Sequence, residues 1–297
     1  MPYRIAVAGV MAAALLASLG ASPQSAPAPA SSLPLAHAGE FVWHDLVTSD
    51  PAACRTFYGS LFGWSFEAGE GIDPGYEIIS QAGLPIGGMV RPKDTSTAVV
   101  SQWLTYVVVP DVDRAVDTFR RAGGKVFRGP LTTKKDLRVA IVADPQGAPL
   151  GLASRGPRHE NTPVPALVPA PPPLNQWLWM EYVATNATEA LGFYSEAVGF
   201  THKVSEARDD FTYYLLATDR PRAGLFHTPW TRETSAWLPY VRVADPAAMA
   251  ARVTELGGRV ALPPAPDVRQ GSLAIVLDPA GAPFALQKYP FEAGATP

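Results

Sequence analysis

The stretches "WHDLVTSDPAACRTFYGSLFGW", Trp43 to Trp64, and "WMEYVATNATEALGFYSEAVGF", Trp179 to Phe200, line up without a gap, 136 positions apart. Each opens as a strand-like run rich in β-branched and aromatic residues, "FVWHDLV" and "LWMEYVA". Each then meets a helix start. Asp50 suits an N-cap with Pro51 in the first turn, and Asn186 repeats the cap. Glu189, three residues on, has capping-box spacing. Cys54, Phe57, Tyr58 and Leu61 share one helical face by the 3.6-residue period, matched by Ala190, Phe193, Tyr194 and Ala197. Gly63 and Gly199 stand where each helix should stop.

The repetition continues outward from these units. "WLTYVVV" (Trp103–Val109) pairs with "WLPYVRV" (Trp237–Val243), and "AGGKV" (Ala122–Val126) with "LGGRV" (Leu256–Val260). "DPQGAPLGL" (Asp144–Leu152) pairs with "DPAGAPFAL" (Asp278–Leu286). Short strands are expected around Trp64–Glu67, Tyr76–Ser80 and Pro85–Val90. A second helix starts in "DVDRAV" and ends at Gly123 and Gly124. Last strands are expected near Asp136–Val142 and Leu150–Ala153, with "DPQG" as the turn between them. The order is strand, helix, three strands, said twice per half, so a whole domain is duplicated.

The rest of the chain bounds this plan. Its 297 residues suffice for two domains with their own cores. Residues 1–21 hold Arg4, an apolar run from Ile5 to Leu19 and then small residues, the pattern of a secretory signal peptide. The expected location is therefore periplasmic or secreted, with no membrane contact after signal cleavage. Residues 22–39 form a flexible segment, 40–155 the first domain, 156–174 a proline-rich linker, 175–290 the second domain and 291–297 a tail. The net charge of −3, without a long basic run, gives no electrostatic reason to expect nucleic acid. Cys54 is the only cysteine, which excludes an internal disulfide and a CxxC site.

The (D/N)-x6-FY-x3-(F/V)-G-(W/F) helix with its Gly stop, the GG-x-V turn and the DP-x-G turn resemble the vicinal oxygen chelate superfamily, which includes glyoxalase I, extradiol dioxygenases and bleomycin- or fosfomycin-resistance proteins. The resemblance covers about residues 40–155 and 175–290. It implies an α+β chain of two tandem domains, each of two βαβββ modules whose curved sheet makes an open cup. In metal-dependent members four side chains, mainly His, Glu or Gln, hold a divalent ion in that cup. Carried over, those positions give Trp43, Gly87 or Gly88, Trp103 or Leu104, and Gly151 in the first domain. The second gives Trp179, Gly224 or Leu225, Trp237 or Leu238, and Ala285. None is a ligand for such a cation, so neither metal nor other cofactor is expected. His37, His44, His159, His202 and His227 are assigned to packing or surface, with His44 on the opposite face of its strand and His227 the hardest to dismiss.

Strand residues two apart share a face, which puts Trp43 with Asp45, and Trp179 with Glu181, on the concave side. Trp103 and Tyr106, and Trp237 and Tyr240, approach from the opposing module, and only one of each pair can face the cup squarely. These eight residues are the candidate ligand-binding set. A carboxylate walled by indoles can anchor a ligand's polar group, or serve as a general base, the catalytic role considered for Asp45 and Glu181. Alternatively, the acids bond neighbouring amides and the tryptophans fill the cups. The expected function is binding of a small aromatic or hydrophobic molecule, with the domains packed on each other as a pseudo-dimer. The alternatives are a lactoylglutathione lyase-like or dioxygenase enzyme with a rearranged metal site, a metal-free acid/base enzyme, and a purely structural module.

Overall fold

The computed structural model describes residues 37–69, 75–92, 101–134, 136–155, 171–208, 211–227 and 235–289. The signal-like segment, residues 156–170 of the proline-rich stretch with His159, and the tail lie outside them. The first half runs β1 (Phe41–Val47), α1 (Pro51–Phe62), β2 (Ser65–Ala68), β3 (Glu77–Gln81), β4 (Leu84–Val90), β5 (Gln102–Val108), α2 (Val112–Arg121), β6 (Lys125–Thr132), β7 (Leu137–Ala143) and β8 (Pro149–Arg155). The second runs β9 (Trp177–Ala184), α3 (Ala187–Val198), β10 (Thr201–Arg208), β11 (Phe211–Ala217), β12 (Pro221–His227), β13 (Ala236–Val243), α4 (Pro246–Glu255), β14 (Arg259–Leu262), β15 (Leu273–Leu277) and β16 (Pro283–Lys288). Each half is one mixed eight-stranded open sheet, ordered β2-β3-β4-β1-β5-β8-β7-β6 and β10-β11-β12-β9-β13-β16-β15-β14. This is the α+β, two-module architecture expected from the repeat.

Local chemistry sets the helix ends. Asp50 accepts the Ala53 amide at 3.0 Å, and Gly63 closes α1 at φ 72, a left-handed position glycine takes without strain. Asn186 accepts from the Glu189 amide at 3.2 Å. The reciprocal half of the expected capping box is supplied differently: the Asn186 amide donates to Gln146 Oε1, from the first half's DPQG turn, at 2.9 Å.

That cross-half contact is typical. Phe119, Val142 and Leu150 of the first half share a core with Tyr182, Tyr194 and Leu225 of the second. Phe57, Tyr58 and Leu61 of α1 share another with Val253, Val276 and Phe284. Each helix face is thus covered by the other half, rather than each domain closing a core of its own. Two reciprocal latches seal the cores. The Tyr194 and Tyr182 hydroxyls donate to Asp144 Oδ2 at 2.7 and 2.5 Å, and the Tyr58 hydroxyl donates to Asp278 Oδ2 at 3.1 Å. Cys54, buried as its helical face predicts, lies 3.4 Å from the same Asp278 oxygen.

His44 sits on the helix side of β1, as strand alternation predicts. Its Nδ1 lies 2.6 Å from Thr105 Oγ1, and its ring lies 4.3 Å from that of Trp177 in the other half. Burial pushes its pKa down to about 3, so the folded chain holds it neutral. Between about pH 6.5 and 3 the unfolded state binds the extra proton, so this contribution is complete above 6.5 and lost as pH falls through that window. We expect acid to cost on the order of a few kcal/mol through this group, and His44→Gln to flatten the acid limb of a stability-versus-pH curve; an unchanged limb would contradict this. Tyr194→Phe removes one donor from Asp144 and the acceptor of Trp237 Nε1, which lies 2.8 Å from the Tyr194 hydroxyl. The expected loss is roughly 1–3 kcal/mol, with both halves melting in one calorimetric transition. Two separated transitions would be incompatible with shared cores.

Candidate ligand cups

Alternation along β1 turns Trp43, Asp45 and Val47 to the concave face and Leu46 to the helices. Asp45 pairs in register with Gly88 of β4, and Tyr106 of β5 pairs with Gly151 of β8. The Asp45 Oδ1 accepts the Tyr76 hydroxyl at 2.6 Å and the Trp43 indole N–H at 2.8 Å, and the Tyr106 hydroxyl also bonds this carboxyl. Burial raises the Asp45 carboxyl above its ordinary range, opposed by those three donors. Burial and the neighbouring Asp45 charge likewise raise the hydroxyls of Tyr76 and Tyr106.

The second cup repeats the frame. Glu181 pairs with Gly224 of β12, and Tyr240 with Ala285 of β16. Tyr213 donates to Glu181 Oε1 at 2.8 Å, Tyr240 donates to Oε2, and Trp179 Nε1 reaches the Tyr213 hydroxyl at 3.2 Å. Arg269 adds an ion pair to Glu181. Burial alone would lower the Arg269 guanidinium, but Glu181, Tyr240 and Tyr213 outweigh it and hold the group above its ordinary range.

Of the eight candidate residues, six therefore meet as two acid–aromatic clusters: Trp43, Asp45 and Tyr106, and Trp179, Glu181 and Tyr240. Trp103 and Tyr106 stand three apart on one strand, and Tyr106 takes the cup while Trp103 turns to the helices, donating to the Tyr58 hydroxyl at 3.1 Å. Trp237 does the same toward Tyr194. These two indoles belong to the shared cores, not to the cups. Tyr76, Tyr213 and Arg269 join the clusters without having been singled out in the sequence. Tyr76 immediately precedes β3 and Tyr213 lies in the equivalent strand β11; each stands two residues before the partner of a crossing glycine, Ile78 opposite Gly88 and Leu215 opposite Gly224. Arg269 lies in a 3-10 turn, Arg269–Gly271, where the repeat has no strand or helix to align.

Three of the four strand crossings leave no room for a Cβ, and the fourth, opposite Tyr240, is Ala285. A Cβ on Gly88 would lie 1.9 Å from the Tyr76 hydroxyl and 2.6 Å from Asp45 Oδ1, and one on Gly151 would lie 2.2 Å from the Tyr106 ring. On Gly224 it would lie 1.9 Å from the Tyr213 hydroxyl. Strands β1, β4, β5 and β8, and β9, β12, β13 and β16 in the second half, thus bring one carboxylate to each cup. Phenols take the room that side chains at the glycine positions would need. Among the described residues no group of three or more His, Cys, Asp or Glu side chains could hold a metal ion. His202 and His227 lie exposed on strands of the second sheet.

Comparison with known proteins agrees with this fold. Residues 35–152 match the Glyoxalase/Bleomycin resistance protein/Dioxygenase superfamily, and residues 179–287 match the Glyoxalase-like domain. The chain belongs to that superfamily, the vicinal oxygen chelate group. It is 32% identical over 253 residues to "Putative glyoxylase CFP32" of Mycobacterium bovis, covering 83% of this chain and 93% of that protein. It is 29% identical to the anthracycline biosynthesis protein DnrV of Streptomyces peucetius, covering 86% and 97%. In fold it is similar to the Mn(II)-bound glyoxalase from Novosphingobium aromaticivorans, with a TM-score of 0.56, 15% identity and coverage of 85% and 83%. It is also similar to a variant of homoprotocatechuate 2,3-dioxygenase from B. fuscum, with a TM-score of 0.56, 15% identity and coverage of 90% and 77%.

Gly88→Ala is expected to displace Tyr76 from Asp45 and to cost roughly 1–3 kcal/mol, the usual range for overpacking. Urea unfolding measures the loss, and tryptophan emission reports the rearranged cup. A variant with wild-type midpoint and emission would contradict the close packing described.

Proposed function

We propose that the protein is a metal-free small-molecule binding protein of the cell envelope, taking an aromatic or hydrophobic ligand in an aromatic-walled cup. The observation that carries this is what stands at the strand crossings: Gly88, Gly151, Gly224 and Ala285 offer no chelating side chain, and tyrosine hydroxyls converge on the single acid of each cup. A lone carboxylate surrounded by phenol donors is a poor cation chelator and a good recess for a planar molecule. In the first cup Trp43, Tyr76 and Tyr106 are only half-buried, which leaves aromatic surface for a ligand. The similarity to a protein named for anthracycline biosynthesis fits an aromatic ligand class. The placement in the envelope rests on the Arg4 and Ile5–Leu19 pattern alone.

Elemental mass spectrometry on untagged protein prepared without chelators is the first test. Sub-stoichiometric Fe, Mn, Ni and Zn, with saturable retention of an aromatic compound in equilibrium dialysis, is the expected result. Near-stoichiometric metal would instead favour a lyase or dioxygenase with a rearranged site. A second reading, metal-free acid/base catalysis, is favoured by the raised Asp45 carboxyl. It requires Asp45→Asn to abolish turnover of whichever bound compound is transformed; binding without turnover would set it aside.

A further inference from the structure

The two cups share one frame and differ in how the charge of the acid is met. In each, an acid on the first strand of the half receives phenol hydroxyls from Tyr76 and Tyr106, or from Tyr213 and Tyr240. In the second cup Arg269 completes the cluster: its guanidinium bonds Glu181 and its central carbon stands 5.6 Å from the centre of both the Tyr213 and Tyr240 rings. That seat is built. Gln287 Oε1 accepts the guanidinium's other side at 3.0 Å, and the Gln287 amide is itself fixed by the Ser272 carbonyl at 2.8 Å. Arg269 and Gln270 adopt left-handed backbone, φ 45 and φ 55, a strained conformation for side chains of this size. A flat cation flanked by aromatic rings and ended on a carboxylate is how proteins recognise guanidinium and amine ligands.

In the first cup, among the described residues, the donors to Asp45 are neutral, two phenols and an indole. The repeat puts Ala153 where the second half has Gln287, so the buttress for an internal arginine is missing. The positive charge of Arg128 is felt at Tyr106. Tyr76 and Tyr106 are half-buried, whereas Tyr213 and Tyr240 are 4% and 1% exposed. The chain's own arginine therefore serves as a template for the ligand of the other cup.

We propose that the first cup binds a small organic cation, a guanidinium, amidinium or protonated amine on a flat apolar body, with its charge on Asp45 between Tyr76 and Tyr106. Arg269 fills the equivalent seat of the second cup from within the chain. This rests on the reading of the cups as binding sites, and adds the charge of the ligand and which cup takes it.

The test is isothermal titration of the full chain with benzamidinium and with neutral benzamide, its isosteric control. We expect one benzamidinium per chain, bound at least about tenfold more tightly than benzamide, and loss of that preference in Asp45→Asn. Arg269→Ala should gain a second benzamidinium site, removed again by Glu181→Gln in the same chain. If Arg269→Ala does not fold, the wild-type and Asp45→Asn titrations decide alone. Equal binding of the two probes overturns the cation seat while leaving an aromatic-binding cup intact. Benzamidinium preference that survives Asp45→Asn, or binding of neither probe, also overturns the inference. A folded Arg269→Ala with no second site overturns the template.

Discussion

The reciprocal burial of each half's helices by the other half is the constraint on which the rest of the structure depends. A curved sheet with two helices on its back leaves an apolar helix face that must be covered. Here α1 finds its cover in the second half and α2 packs beside α3. The carboxylates of Asp144 and Asp278 sit where these faces meet. Asp144 accepts from its own turn at the Gln146 and Ala148 amides, both at 2.9 Å, and from Tyr182 and Tyr194 of the other half. A buried carboxylate is tolerable only when its lone pairs are used, and here four donors use them. The DP-x-G turn thus shapes its own hairpin and ties the two sheets together.

This arrangement separates the two faces of each sheet. The helix faces are coupled, so a change at Tyr194 or Trp237 is felt in both halves. The concave faces carry no such obligation, and that is where the halves differ. The common frame of acid and two phenols is present in both cups because small residues at the strand crossings, glycine at three and Ala285 beside Tyr240, leave room for the rings. The cup is therefore shaped by absent side chains as much as by present ones. A larger side chain on Gly88 or Gly224 would displace the phenol that lies there, Tyr76 or Tyr213.

The sequence made much of this legible. The repeat, 136 positions apart at the first helices and 134 at the DP-x-G turns, the caps at Asp50 and Asn186 and the glycine stops follow from local rules that the tertiary structure does not override. Strand alternation placed Trp43, Asp45, Trp179 and Glu181 on one face and His44 on the other. The same rule left Trp103 against Tyr106 undecided, because residues three apart on a strand face opposite ways and only packing against Tyr58 decides which ring is buried. The sharing of cores was illegible, since one half's hydrophobic pattern does not say whose surface covers it. Arg269 was illegible for another reason: it reaches Glu181 from an irregular turn, 88 positions away, and no periodicity predicts such an approach.

The difference between the cups bears on why the acids are there at all. A buried carboxylate costs free energy unless it is paired, and apolar replacement of such groups is often neutral or stabilising. In the second cup Arg269 and its Gln287 support compensate Glu181, so that cluster is self-sufficient as structure. In the first, Asp45 is held by neutral donors and its carboxyl is raised by burial. Nothing in the shared cores depends on that acid, because Asp45 points away from them. Asp45 instead organises its own cup: one acid fixes the Trp43 indole and the Tyr76 and Tyr106 hydroxyls, so the half-buried rings keep one arrangement without a charge of opposite sign among those three donors.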